Sequence, residues 1–345
     1  KWYKKTADKG YARGQCNLGQ LYQSRGDYEA AVKWYKKAVD KGYARAQFNL
    51  GYLYDHGKGV KQDYTKAVKL YRKSALRRYT FGQNNLGVMY EKGKGVTQNY
   101  EEAAKWYQKA ANRGNSLAQY NLGYLYDHGN GVKQDYKEAV KWYRKAASRG
   151  NVLAQNNLGT MYEKGTGVTQ NYLEAAKWYR KAANQGNMFG QNNLGYLYDL
   201  GLGVAKNPIE AVKWYRKAAL KGYALAQNNL GTMYDNGEGV AKNYEEAVKW
   251  YRKAANQGNR LGQNNLGTMY EYGDGVEIDY QEAAKWYQKA AKQGHATGQY
   301  NLAKLYEYGK GVDKDMATAK KWYQKACQQN KAKACEALKR LDKND

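Results

Sequence analysis

The sequence predicts an all-α protein, an α/α superhelical solenoid of 36-residue helix-loop-helix repeats. Three observations predict it. The triplet Asn-Leu-Gly begins at Asn17, Asn49, Asn85, Asn121, Asn157, Asn193, Asn229 and Asn265 and closes as Asn301-Leu302-Ala303, with a first step of 32 residues and every later step of 36. A second marker, Lys-Trp-Tyr, keeps the same register at Trp34, Trp106, Trp142, Trp178, Trp214, Trp250, Trp286 and Trp322, plus a truncated start at Trp2, with Leu70 once in the Trp place. Between the markers apolar residues recur at helical spacing, bounded by capping residues. A fixed period of this length marks an array of small units, none of which can bury its own apolar face alone.

One unit shows each element in order. In "LAQYNLGYLYD" (117–127) Ala118, Leu122, Leu125 and Tyr126 fall on one face of a helix. Gly123 lies beside that face, where a missing side chain admits a neighbouring helix. The loop "HGNGVKQD" follows, with two glycines and Val132 as a candidate buried residue. The second helix, "YKEAVKWYRKAA", opens on Asp135 as N-cap with Glu138 three residues on, a capping-box spacing. The spacing recurs at Asn99/Glu102, Asn171/Glu174, Asn207/Glu210, Asn243/Glu246 and Asp279/Glu282, and Pro208 takes a first helical position. Gly114, Gly150, Gly186, Gly222, Gly258 and Gly294 follow the last turns, where a left-handed backbone is expected. The Trp and Ala residues of the second helices are expected to form the continuous core.

A longer period also runs through the chain. Residues 156–187 return almost unchanged at 228–259, and "YDHG" loops alternate with "YEKG" loops at 54, 90, 126 and 162. A two-unit block has been copied, so array length matters more than any single unit. The array is expected to occupy 1–330 as one domain of about nine repeats, the first partial, with a capping helix and tail at 331–345. With a single Pro in 345 residues, no Pro-rich linker divides it, and no apolar run reaches the 18 or so residues that span a bilayer. The opening "KWYKKTADKG" lacks a Met, a charged leader and an apolar leader core, and matches the second half of a repeat. Residue 1 is therefore expected not to be the native start, with any targeting signal out of view.

The pattern A-x-x-N-L-G-x-x-Y, then G-x-G-V, then D-Y-x-x-A-x-x-W-Y-x-K-A-A-x-x-G, resembles the Sel-one-like repeat (SLR), a relative of the tetratricopeptide repeat, over essentially all of 1–330. The resemblance implies an α/α superhelix that holds other proteins or ligands. It also implies bacterial service in the cell envelope, in secretion or at host cells, and hence a periplasmic or secreted location. Departures are local: the first unit lacks the G-x-G-V insert, and Leu70 and Arg78 replace Trp and Gly in the third. Cys327 and Cys335 resemble the paired cysteines of cysteine-rich SLR proteins, which form disulfides. A bridge there implies an oxidising compartment; two buried thiols is the alternative, and Cys16 is left single. Some of those relatives are described as β-lactamases or penicillin binders, yet this chain has neither S-x-x-K nor clustered zinc ligands.

The remaining candidates are weighed residue by residue. The eight G-x-G-V loops follow helices rather than strands, so they read as tight turns, not phosphate cradles. His56, His128 and His295 read as surface histidines, and no metal, cofactor or catalytic set is expected. Lys and Arg total 58 against 31 Asp and Glu, a formal charge of +27 that favours acidic partners. Residues such as Lys141, Arg144 and Lys145 complement the dipoles of second helices and cover apolar surface with their stems, so a solvated face explains most of the charge. The alternative is a basic surface that binds nucleic acid or anionic polysaccharide; for nucleic acid it needs a groove with exposed aromatics among the basic residues, whereas the Trp residues read as buried.

The open side of the first helix, concave in related solenoids, is the candidate ligand surface. Its columns nominate Phe48, Tyr52, Asn84, Tyr120, Tyr124, Asn156, Asn192, Tyr196, Asn228 and Asn264, beside an acidic column from Asp55 to Glu307. Asn can clamp both the N–H and the C=O of an extended peptide, and Tyr adds apolar area at low entropy cost. The same Asn column can instead bind neighbouring helices. The expected function is a non-catalytic scaffold for a protein or peptide.

Overall fold

A computed structural model describes residues 2–342, the Trp2 side chain excepted; that marker and the tail end at 343–345 lie outside the described residues. Among the described residues there are twenty α-helices and no strand. They divide into two compact units, residues 1–171 and 172–345. The first unit carries α1 (Trp2–Asp8), α2 (Ala12–Ser24), α3 (Tyr28–Asp40), α4 (Ala44–His56), α5 (Tyr64–Leu76), α6 (Thr80–Lys92), α7 (Tyr100–Asn112), α8 (Ser116–His128), α9 (Tyr136–Ser148) and α10 (Val152–Lys164). The second carries α11 (Tyr172–Asn184), α12 (Met188–Leu200), α13 (Pro208–Leu220), α14 (Ala224–Asn236), α15 (Tyr244–Asn256), α16 (Arg260–Tyr272), α17 (Tyr280–Lys292), α18 (Ala296–Tyr308), α19 (Met316–Gln328) and α20 (Ala332–Asp342). Even-numbered helices from α2 to α18 are the first helices of their repeats, and α3 to α19 are the second. Within each unit every helix packs on its chain neighbours, the arrangement of an α/α solenoid.

Capping chemistry sets the helix starts, in a form simpler than the sequence spacing implies. Asn99 Oδ1 accepts from the Glu102 N–H at 2.9 Å, and Asp135 from Lys137 and Glu138. The reciprocal half of the box is taken elsewhere. The N-cap N–H donates to the preceding first helix instead, Asn99 to the Tyr90 carbonyl and Asp135 to that of Tyr126. Glu102 and Glu138 are thereby released to pair with Lys105 and Lys141, each at 2.7 Å. The loop is thus closed by its own backbone.

After the second helices the chain reverses through left-handed residues: Gly114 has φ 84° and Gly150 φ 85°. Arg78 holds the same place at φ 61° with a side chain attached, a conformation that costs an L-residue roughly 1–2 kcal/mol. The second glycine of each G-x-G-V loop has a further duty. A Cβ on Gly95 would stand 2.5 Å from the backbone carbonyl of Tyr64, the first residue of the preceding second helix. The loop is a packing contact between repeats.

The core differs from the expected Trp and Ala ladder. The large side chains buried in every repeat are the tyrosines that follow the Trp position (Leu70 before Tyr71), from Tyr35, Tyr71 and Tyr107 to Tyr323, interleaved with Ala31, Ala38 and their equivalents. Trp106, Trp142 and Trp250 are buried, but Trp34, Trp178, Trp214, Trp286 and Trp322 are half-exposed. Each ring carries a lysine ammonium from one turn on, as with Lys145 at 4.1 Å from Trp142 and Lys289 at 3.8 Å from Trp286. An indole covered this way gains a cation–π contact and the lysine stem without full burial. Tyr fits the interior better because its ring lies where the first helix has Gly; a Cβ on Gly123 would meet Tyr143 Cδ1 at 2.8 Å.

At the C-terminal end α20 packs on α19. A disulfide joins Cys327 to Cys335 with their Cα atoms 4.8 Å apart. Arg340 of α20 donates to the buried Glu307 carboxylate at 2.5 Å.

Candidate interaction surface on the first helices

The first helices hold the nominated residues, and the structure sorts them into two groups. Asn84, Asn192, Asn228 and Asn264 are buried. In the second unit Asn192 Oδ1 accepts from Asn229 at 3.1 Å, Asn228 from Asn265 at 3.0 Å and Asn264 from Asn301 at 3.1 Å. Asn121 binds Asn84 in the same way in the first unit, at 3.0 Å. Their amides donate to the next residue, as Asn264 does to Asn265 at 3.3 Å. These four therefore join consecutive first helices and do not line an open clamp: a buried amide surrounded by matched amides is already satisfied. Asn156 is half-buried and donates to Asn157 at 3.4 Å. Cys16 falls in this column too, fully buried, and accepts from Asn49 at 3.7 Å.

The aromatic nominees stand nearer the surface. Phe48 is half-buried in a ring cluster with Tyr71, Tyr79 and Phe81, centroids 5.6 to 6.0 Å away. Tyr52 and Tyr124 stack on His56 and His128 at 4.0 Å, and each His Nδ1 lies against the carbonyl of its tyrosine. The two stacks sit in equivalent repeats, so these histidines act with their tyrosines and not as isolated loop residues. Tyr120 leans on Tyr143 at 5.9 Å. Tyr196 is 40% exposed, next to exposed Leu200. His295 instead caps α18, Nδ1 accepting from the Gly298 N–H at 3.1 Å; burial, with Arg260 and Lys331 nearby, lowers its pKa and keeps it an acceptor.

The acidic column is occupied by the core tyrosines. Tyr143 OH donates to Asp127 at 3.2 Å, Tyr251 to Asp235 at 3.1 Å, Tyr287 to Glu271 and Tyr323 to Glu307 at 2.6 Å, and Tyr107 to Glu91. Burial, first, and the facing carboxylate, second, push the Tyr107 and Tyr287 hydroxyls well above the usual phenol range.

One feature of the surface escaped the sequence reading. The second residue of the first helices forms an exposed apolar column: Phe81, Leu117 and Leu153 in the first unit, Phe189 and Leu261 in the second. The signal was present as an apolar residue every 36 positions, but it lies off the core face and was passed over. Among the described residues no group of three His, Cys, Asp or Glu could hold a metal ion, and no helix is long and apolar enough to cross a membrane.

A regular array of antiparallel helix pairs, locked by Asn–Asn and Tyr–carboxylate bonds and exposing aromatic residues from its first helices, defines a helical-repeat binding protein of the tetratricopeptide type. The Sel1 repeat matches at residues 1–11, 44–79, 80–115, 116–151, 152–187, 189–223, 224–259, 261–295 and 296–331, so the chain belongs to the Sel1-repeat family. Residues 12–41, the unit without the G-x-G-V insert, match a tetratricopeptide repeat. A protective antigen of uropathogenic Escherichia coli displaying an SLR fold is 37% identical, with 100% of this chain and 82% of that one covered and a TM-score of 0.67. A Sel1 repeat protein from Oxalobacter formigenes is 33% identical, covering 88% of this chain and 90% of that one, with a TM-score of 0.65. No curated protein sequence matches the chain. Sel1-repeat proteins are in general non-catalytic scaffolds for protein interaction.

Proposed function

We propose that the chain is a non-catalytic scaffold that holds a protein, or an extended segment of one, along the open face of its first helices. The carrying observation is the exposed apolar column Phe81, Leu117 and Leu153, with Phe189 and Leu261 in the second unit. Ring contacts make Phe81 continuous with Phe48 and Tyr79. Large apolar side chains left in water at a fixed register are the mark of a surface meant to be covered, and Tyr52, Tyr124 and Tyr196 supply amphipathic anchors beside it. The Asn and Tyr ladders beneath keep the face rigid, so little ordering cost falls on binding. A periplasmic or secreted location, in bacterial envelope or host-contact processes, suits the bridged Cys327 and Cys335.

The test is a pulldown from bacterial and host-cell lysates at low salt and at about 0.5 M NaCl, where purely electrostatic complexes dissociate. Wild type is compared with a variant carrying Phe81→Ser, Tyr124→Ser, Leu153→Ser and Tyr196→Ser. A protein retained at high salt by wild type and absent from the variant supports the scaffold. Only nucleic acid or polysaccharide, released by salt and indifferent to the four changes, sinks it.

A further inference from the structure

Each first helix carries a buried glutamine near its start, and these glutamines fall into two sets. Most donate Nε2 to an alanine carbonyl of the preceding second helix, as Gln119 does to Ala111 at 3.0 Å and Gln83 to Ala75 at 3.2 Å. In the second unit Gln227, Gln263 and Gln299 also have Oε1 satisfied, by Gln257 and Gln293 at 2.7 Å and Gln329 at 2.8 Å. In the first unit the residues equivalent to Gln257 are cations: Lys41, Arg77, Arg113 and Arg149. There Oε1 of Gln83 and of Gln119, side chains more than 95% buried, has no hydrogen-bond partner.

Oε1 of Gln15, Gln47 and Gln191 is also without a partner; what sets Gln83 and Gln119 apart is that they lie at two adjacent clefts of equivalent position. Gln119 lines a cleft of about 870 Å³ together with Arg113, Lys141, Arg144, Lys145 and Arg149, and no carboxylate lines it. Gln83 lines one of about 390 Å³ with Arg78, Lys109 and again Arg113. Arg78 is held at φ 61° where most repeats have glycine and the last has Asn330, also at φ 61°. A strained cation retained beside a cleft points to a role for its side chain.

We propose that these linked clefts bind an acidic segment of a partner protein, on a surface distinct from the aromatic face of the first helices. Guanidinium forks take carboxylates in pairs, and the buried Gln Oε1 atoms require N–H donors, which a peptide backbone supplies between acidic side chains. A nucleic acid strand fits less well. Its phosphates accept without donating, and the Trp106 ring beside the smaller cleft is covered by Lys109 at 4.1 Å and offers no free face for stacking. Arg113 lines both clefts, so one partner segment can meet it from either side.

The experiment is fluorescence anisotropy with a labelled dodecapeptide of alternating Glu and Gly, at about 150 mM NaCl, where distant charges are screened. Saturable binding is expected. Arg149→Gln, which places at Gln119 the closure seen between Gln257 and Gln227, weakens it about fivefold or more. Arg78→Gly does the same while raising thermal stability, so misfolding cannot account for the loss. Lys133→Gln removes an equal charge from an exposed loop outside both clefts and leaves affinity unchanged, as do the four changes on the aromatic face. The proposal is overturned by absent saturable binding, by an equal loss in Lys133→Gln, or by an oligothymidylate of the same length displacing the probe better than unlabelled peptide.

Discussion

Alkali should unfold this protein abruptly. Tyr35, Tyr71, Tyr107, Tyr143, Tyr215, Tyr251, Tyr287 and Tyr323 are at most 1% exposed, and burial raises every one of their hydroxyls above the ordinary 10.0. A phenol whose folded pKa is raised keeps its proton in the folded state and loses it on unfolding. The stability it contributes is therefore complete below pH 10 and declines above it, because the unfolded chain then binds fewer protons than the folded one. Each such tyrosine withdraws about 0.4 kcal/mol at pH 10 and about 1.4 kcal/mol at pH 11, so the eight together withdraw about 3 and about 11 kcal/mol. The second figure rivals the ~5–15 kcal/mol that holds ordinary domains folded. Phenolate absorbance and far-UV circular dichroism, followed together, should show exposed tyrosines ionising near 10 with helix intact. A second, steeper absorbance rise should then coincide with loss of helix between pH 10 and 11. One smooth titration near 10 with the helices unchanged would refute the buried ladder.

Four further outcomes are expected. Arg78→Gly should stabilise the chain by about 0.5–1 kcal/mol, the left-handed strain relieved less the extra freedom of an unfolded glycine, read as a higher urea midpoint. Asn264→Ala should destabilise by about 1–3 kcal/mol, since it strips Asn301 of its buried acceptor, and a thermal melt will show whether it does. Reducing the Cys327–Cys335 bridge should cost about 2.5 kcal/mol for so short a loop, concentrated in α20 and visible as faster amide exchange over 332–342. The Cys16 thiol, pushed up to about 11 by burial, should resist a thiol reagent at pH 8 until the chain is unfolded by denaturant.

Much of the architecture was legible in the chain itself. Helix starts and stops rest on interactions within a few residues, so Asp135, Pro208, Gly114 and their equivalents could be placed from local pattern, and the 36-residue register carried one unit's reading to all. Side-chain partners across helices were not legible, because they depend on which faces meet. Lys-Trp-Tyr offers two large aromatics side by side, and only packing shows Tyr143 entering the gap at Gly123 while Trp142 keeps a lysine over its ring. The Asn column looked like a peptide clamp for the same reason: an amide suited to a ligand's backbone is equally suited to the amide of the next repeat, and Asn121 reaches Asn84 first. Sequence alone determined that the chain is a periodic array of capped helix pairs. Tertiary structure decided which repeated polar groups are spent holding the array together and which side chains, such as Phe81 and Tyr196, stay at the surface.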